Sequence, residues 1–199
     1  MKIGIIGAGN IGASLACHFV KAGHTVRISN KRGPAVLAPL ISELGHLAAA
    51  VSNEEAAANE IVVLAVWWKL TDEVLQPLRE LLKDKIVIDA TNPFVDGQFL
   101  DLPKGTAASE IIASKIPGAK VVKAFNCLYA RWINADPIVG NGRRVTFISG
   151  DDVTAKDKIS TLIRSINFAP VDLGTLKDGE MSQAGRPLAE ANFVLYPND

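Results

Sequence analysis

Short apolar runs alternate along the chain with longer stretches in which apolar residues recur every three or four positions. The runs at Ile3–Ile6, His24–Ser29, Ala48–Val51, Ile61–Val66, Lys85–Ala90, Lys120–Phe125, Val145–Ser149 and Ala169–Leu173 read as strands. Between them the helical spacing predicts helices over Asn10–Ala22, Pro34–Leu44, Thr71–Lys83 despite Pro77, Thr106–Lys115, Leu128–Ile133, a stretch from Asp151 or Asp152 to Ile166, and finally Ala189–Tyr196. The first helix would bury Ile11, Leu15, Phe19 and Val20 and stop at Gly23, while Ser52 or Asn53 caps an Ala-rich turn and Phe94–Lys104 is expected to be a loop. Ile61–Val66 is apolar at every position, as a parallel sheet covered on both faces requires. Regular alternation of strand and helix implies an α/β chain with a doubly wound, mostly parallel sheet. One domain over 1–199 is expected, with 174–199 as a short C-terminal helical extension.

The junction between the first strand and the first helix carries the chemistry. Gly7, Gly9 and Gly12 stand at the GxGxxG spacing directly after the apolar run and open into the helix. In such a turn the first glycine permits the bend, the second admits a pyrophosphate to the backbone, and the third lets helix and strand pack closely. Unpaired N–H groups at the helix start then face the phosphates. Strand, turn and helix occur in the required order, so the segment reads as the dinucleotide turn of a Rossmann-type fold.

In such a fold the residue that meets the adenine ribose lies about twenty positions past the glycine turn, at the end of the second strand. Proteins that take NAD place Asp or Glu there, whereas this chain has Ser29-Asn30-Lys31-Arg32. A carboxylate repels a 2′-phosphate; a hydroxyl, an amide and two cations bind one, Arg32 through its planar fork. NADP(H) is therefore expected in preference to NAD(H). An ordinary solvated loop is the competing account of Lys31 and Arg32.

Charge distribution agrees with that expectation. The 199 residues carry 21 Lys+Arg and 21 Asp+Glu, a balance that points to neither nucleic acid nor an anionic membrane as partner. Yet Lys2, Lys21, Arg27, Lys31 and Arg32 all precede the first acidic residue, Glu43. The two cysteines and three histidines show no disulfide framework and no metal-ligand spacing, which suggests a reduced, cytoplasmic setting without a metal. Lys2 followed by an apolar run and Leu15-Ala16-Cys17 imitates a lipoprotein signal, but three glycines and Asn10 interrupt what would be its apolar core. The longest apolar run, 61–68, is too short to span a bilayer.

Two further positions lie where open α/β sheets bind ligands. Trp67 and Trp68 follow the fourth strand, where a flat indole walls the nicotinamide or stacks on an acceptor ring, or else packs beneath the next helix. Asn92 in the turn Thr91-Asn92-Pro93 is placed to hydrogen-bond the nicotinamide side, although an Asn-Pro turn also stands without a ligand.

Taken together, MKIGIIGAGNIG, SNKRGP, DATNPF, VKAFN and FISGDD resemble the deazaflavin (coenzyme F420)-dependent NADP oxidoreductases and their relatives, the reductase domains of membrane-bound metal reductases among them. The resemblance implies a pyrophosphate turn at Gly7, Ala8, Gly9, Asn10, Ile11 and Gly12, and a 2′-phosphate site at Ser29, Asn30, Lys31 and Arg32. It also implies cofactor contacts at Ala65, Val66 and Trp67 and, toward the nicotinamide, at Asn92, Pro93 and Ala124. Trp67-Trp68 departs from the smaller or proline-containing sequence expected there and would narrow the second substrate's pocket.

What the resemblance implies for activity is hydride exchange between NADP(H) and a small-molecule acceptor, a deazaflavin such as coenzyme F420 or a flavin. The cofactors carry that chemistry and the protein supplies binding and orientation. No histidine or carboxylate suggests itself as an acid or base, which suits equally an NADP(H)-binding sensor without turnover. An imine or hydroxyacid dehydrogenase would require a larger helical substrate domain than the tail provides. A homodimer is expected, with Phe193, Val194 and Leu195 of the last helix at the contact.

Overall fold

The computed structural model describes residues 1–100, 102–103 and 105–197. Its strands are β1 (Lys2–Ile6), β2 (Thr25–Ser29), β3 (Ala48–Ala50), β4 (Ile61–Leu64), β5 (Ile86–Asp89), β6 (Phe94–Val95), β7 (Gln98–Phe99), β8 (Lys120–Lys123), β9 (Ile138–Val139), β10 (Gly142–Gly150), β11 (Ala169–Asp172) and β12 (Val194–Leu195). The α-helices are α1 (Asn10–Lys21), α2 (Ala38–Leu44), α3 (Asn53–Ala57), α4 (Thr71–Leu78), α5 (Ala108–Lys115), α6 (Ala130–Asn134) and α7 (Val153–Ser165).

The main sheet runs β11-β10-β8-β5-β4-β1-β2-β3. From β3 to β8 every pairing is parallel, and β10 then joins β8 antiparallel. The strand order therefore reverses beside β1, between the outward path through β2 and β3 and the opposite path through β4, β5 and β8. Ligands bind at such a switch point, outside the carboxyl ends of the strands. This is the doubly wound arrangement that the alternation predicts.

Strands β4 and β5 are buried at all positions because helices cover both faces. Leu15 and Phe19 of α1, Ile133 of α6 and Ile159, Leu162 and Ile163 of α7 fill one side. Ala56 of α3, Leu75 and Leu78 of α4 and Ile112 of α5 fill the other. Ser52 is the cap of α3, its Oγ accepting from Glu55 N while Glu55 Oε2 accepts from Ser52 N, a reciprocal capping box.

Four expectations change. Pro34–Leu37 forms a 3-10 turn, so α2 begins only at Ala38. α4 ends at Leu78, one residue past Pro77, which has no N–H to offer the Glu73 carbonyl, and turns carry the chain onward to a left-handed Asp84. Within the expected loop 94–104, of which Asp101 and Lys104 lie outside the described residues, β6 and β7 pair antiparallel around Asp96-Gly97. Both turn residues have positive φ, 49° and 87°, as a two-residue hairpin turn demands.

The C-terminal extension is helical only as a 3-10 segment over Lys177–Ser182. No helix spans Ala189–Tyr196; Val194 and Leu195 pair with Arg144 and Arg143 of β10 instead. Phe-Val-Leu favours a pleated edge, and Phe193 sits edge-on to Phe147 with ring centroids 5.6 Å apart. The helix expected to mediate a dimer is therefore absent, and its residues cover β10.

Candidate functional site

A cleft of about 650 Å³ opens above the carboxyl ends of β1, β2, β4 and β5. Its floor is the glycine turn, and each glycine has a different constraint. Gly7 has φ 104°, and a Cβ there would stand 2.3 Å from the Ala65 carbonyl oxygen. At Gly12 a Cβ would stand 1.9 Å from the Gly7 oxygen, so helix and turn touch backbone to backbone. Gly9 has nothing within 4 Å of its Cβ position: the space it leaves is open and belongs to the cleft. Gly9 is also the N-cap of α1, without a side-chain cap and with no acidic residue in the first turn. That leaves donors for an anion, and a pyrophosphate fits there.

Among the residues expected to bind the cofactor, Gly7, Ala8, Gly9, Asn10, Ile11, Asn30, Lys31, Arg32, Ala65, Val66, Trp67 and Asn92 all line the cleft. Four do not. Gly12 packs behind the turn, and Ala124 is fully buried. Pro93 is buried and accepts Leu100 N at 2.8 Å, closing the base of the hairpin. Ser29 is buried as well: its hydroxyl donates to the Ile5 carbonyl at 3.3 Å, and its own carbonyl accepts from Gly7 N at 3.2 Å. Ser29 thus holds the glycine turn rather than facing a phosphate.

The loop after β2 presents its cations in two ways. Asn30 Oδ1 accepts Arg32 N at 2.9 Å and folds the loop back on itself. Lys31 Nζ lies 2.8 Å from Glu73 Oε1 on α4, while Arg32 has no carboxylate partner among the described residues.

The opposite end of the cleft is aromatic. Trp67, 65% exposed, and Trp68 stand there with Phe94 and Phe99, whose rings lie 5.1 Å apart. Lys69 Nζ contacts Asp96 Oδ1 at 2.8 Å, tying the hairpin to the segment after β4 and holding the Asp96 carboxyl below its usual pKa. Asn92 reaches the same end, but its amide is engaged by protein: Nδ2 donates to the Asn126 carbonyl at 2.8 Å and Oδ1 accepts Ala184 N at 3.1 Å.

Sequence reasoning missed Glu73, Phe99, Ala184 and Glu190. An Asp-Gly pair between Phe94-Val95 and Gln98-Phe99 signals the hairpin that carries Phe99. Glu190 arrives from the tail in a left-handed conformation, φ 60°, and accepts from Tyr129 Oη at 2.7 Å. That hydrogen bond raises the Tyr129 pKa above an ordinary phenol's. Nothing local to Glu190 announces this long-range contact. Among the described residues no cluster of His, Cys, Asp and Glu is suited to a metal, and no helix is long and apolar enough to cross a membrane.

Residues 2–93, which contain the glycine turn, the loop after β2 and the turn after β5, match the family described as NADP oxidoreductase, coenzyme F420-dependent. The match covers a little under half of the chain, and over those residues the sequence is similar to that family. Its structure is similar to that of the hypothetical protein SMa0349 of Sinorhizobium meliloti, with 39% identity, TM-score 0.91 and coverage of 98% of this chain and 96% of that one. It is also similar to an Arthrobacter sp. FB24 protein assigned as an F420-dependent NADP reductase, with 28% identity, TM-score 0.76 and coverage of 90% and 87%. Metalloreductase STEAP3 of Rattus norvegicus is 32% identical over 92% of this chain but only 36% of its own length. The chain thus spans about a third of the metalloreductases it matches.

Proposed function

We propose that the cleft binds NADP(H) and that the protein exchanges hydride between the nicotinamide and a ring-type acceptor, a deazaflavin or a flavin. The loop after β2 carries this reading: Asn30, Lys31 and Arg32 line the same cleft as the glycine turn, and that loop has no carboxylate. The backbone N–H groups at the start of α1 hold the pyrophosphate in the space that Gly9 leaves free. Arg32 takes the 2′-phosphate through its fork.

NADPH, when bound, supplies the hydride. The chain's part is to orient and to exclude water: Trp67, Trp68, Phe94 and Phe99 give an apolar wall against which a conjugated ring stacks. Among the described lining residues, the ionisable ones are Lys31, Arg32, Glu73 and Glu190, with no histidine or cysteine. Hydride passes directly between the two conjugated rings, and the proton that completes reduction of the acceptor comes from solvent, so the lining need carry no general acid.

Calorimetry with NADPH and NADH, followed by anaerobic NADPH oxidation with deazaflavins, flavins and quinones, tests the proposal. Preference for NADPH with turnover of a ring acceptor is expected. NADPH binding without turnover of any acceptor would make the protein a sensor, and equal affinity for both nucleotides would overturn the 2′-phosphate assignment.

A further inference from the structure

The loop after β2 and helix α4, which follows β4, flank β1 on either side, and one ion pair joins them across the cleft. Lys31 Nζ lies 2.8 Å from Glu73 Oε1 and 3.0 Å from Oε2, with both side chains more than half exposed. Both residues line the cleft beside Arg32. The only ammonium among the described lining residues is therefore already paired with a carboxylate of the same cleft.

We propose that Glu73 sets nucleotide discrimination by competing with the 2′-phosphate for Lys31, an inference that rests on the NADP(H) reading above. An exposed pair contributes little to folding and exchanges partners readily. A dianionic phosphate arriving at Arg32 displaces Glu73 from Lys31, and Glu73 then faces it as a like charge at close range. NAD(H) has only a hydroxyl at that position and leaves the pair closed. Glu73 therefore lowers affinity for NADP(H) selectively and makes its release faster. The cation that discriminates at full strength is Arg32, which has no carboxylate to give up.

The test is titration of wild type, Glu73→Gln and Arg32→Ala with NADPH, NADH and the fragment 2′,5′-ADP at low and high salt. Glu73→Gln is expected to tighten NADPH and 2′,5′-ADP by about three- to tenfold and to move NADH by less than about twofold, with the gain shrinking as salt screens the charges. NADPH affinity that is unchanged or weakened in Glu73→Gln overturns the competition. A selective loss of NADH in that variant also overturns it, because Glu73 would then be a ribose ligand. The NADP(H) reading fails differently: wild type would show no preference for NADPH and no binding of 2′,5′-ADP, whereas a preference lost in Arg32→Ala but unmoved in Glu73→Gln refutes only the role of Glu73.

Discussion

Lys123 and Asp89 are register partners on β8 and β5, with Nζ 3.1 Å from Oδ2 and neither side chain more than 2% exposed. The ammonium also donates to the Thr91 carbonyl at 2.7 Å. Asp89 accepts from Ser109 Oγ at 2.5 Å and from the Thr91 backbone N and Oγ1 at 2.9 and 2.6 Å. The buried charges thereby fasten the turn at Thr91-Asn92 that lines the aromatic end of the cleft. Lys123→Met leaves the Asp89 carboxylate without its counter-charge, and removing one partner of a buried pair costs about 3–5 kcal/mol. Urea unfolding is expected to show that loss, and adding Asp89→Asn to the same chain is expected to recover part of it. A Lys123→Met midpoint equal to that of wild type would show that the pair does not hold the turn.

Gly9 and Gly12 separate binding from folding within one motif. Alanine at Gly9 meets no atom within 4 Å, so stability is expected to stay within about 0.5 kcal/mol, while NADPH affinity falls by about tenfold or more as the methyl occupies the phosphate space. Alanine at Gly12 drives a methyl to 1.9 Å from a backbone oxygen, and such overpacking costs about 1–3 kcal/mol before any ligand is added. Thermal melts with and without NADPH distinguish the two. A destabilised Gly9→Ala that still binds NADPH would reverse the assignment.

The alternation of strand and helix, the doubly wound class and the glycine turn of the cleft are legible in the chain because local signals and global packing agree there. Apolar runs at β4 and β5 follow from burial on both faces, and the glycine spacing encodes a turn that backbone contacts enforce. The tail departs from its helical spacing because pairing with β10 overrides it over residues 189–196, and no local feature announces a strand partner about fifty positions away. Ser29 shows the same limit at one residue. It ends β2 as expected, but the last residue of a strand points to one face or the other, and here it points to the Ile5 carbonyl. Glu73 and Glu190 line the cleft by tertiary packing, where they contact Lys31 and Tyr129.

Arg32→Ala tests the phosphate site directly. Its side chain is exposed and has no ion pair among the described residues, so stability is expected to stay constant. A charge-assisted hydrogen bond contributes about 1.5–3 kcal/mol, which is about ten- to a hundredfold in NADPH affinity with NADH unaffected. Equal losses for the two nucleotides in calorimetry would contradict the assignment.

Acid sensitivity is expected from His18. Its Nε2 donates to the Ile133 carbonyl at 2.6 Å and its ring meets Phe168 edge-on at 5.5 Å. Burial holds its pKa below the usual imidazole value, with the nearby Lys21 acting in the same direction. His24 is lowered likewise, by burial and by the N-terminal ammonium. A histidine whose folded pKa lies below the unfolded one, about 6.5, binds its proton more readily in the unfolded chain. Its stabilising contribution is complete above about pH 6.5 and is lost as the pH falls below it. Tm is expected to be flat above neutrality and to drop on acidification, less steeply in His18→Gln. An identical acid slope in the variant would place the sensitivity elsewhere.

Trp67 decides which ring the aromatic wall serves. Its indole is 65% exposed within the cleft, so Trp67→Ala is expected to leave stability within about 0.5 kcal/mol. Stacking between aromatic rings contributes about 0.5–1.5 kcal/mol, so if the indole carries the acceptor its loss raises the acceptor KM by about two- to tenfold. Under the same assignment the NADPH dissociation constant moves less than about twofold, and Trp67→Phe restores most of the acceptor affinity because it keeps a flat face. Steady-state rates with a flavin at saturating NADPH, set beside calorimetry with NADPH alone, give both quantities. If the NADPH constant shifts by the larger factor, the indole belongs to the nicotinamide, and the acceptor must then lie against Phe94 and Phe99 of the hairpin that Lys69 ties to the segment after β4.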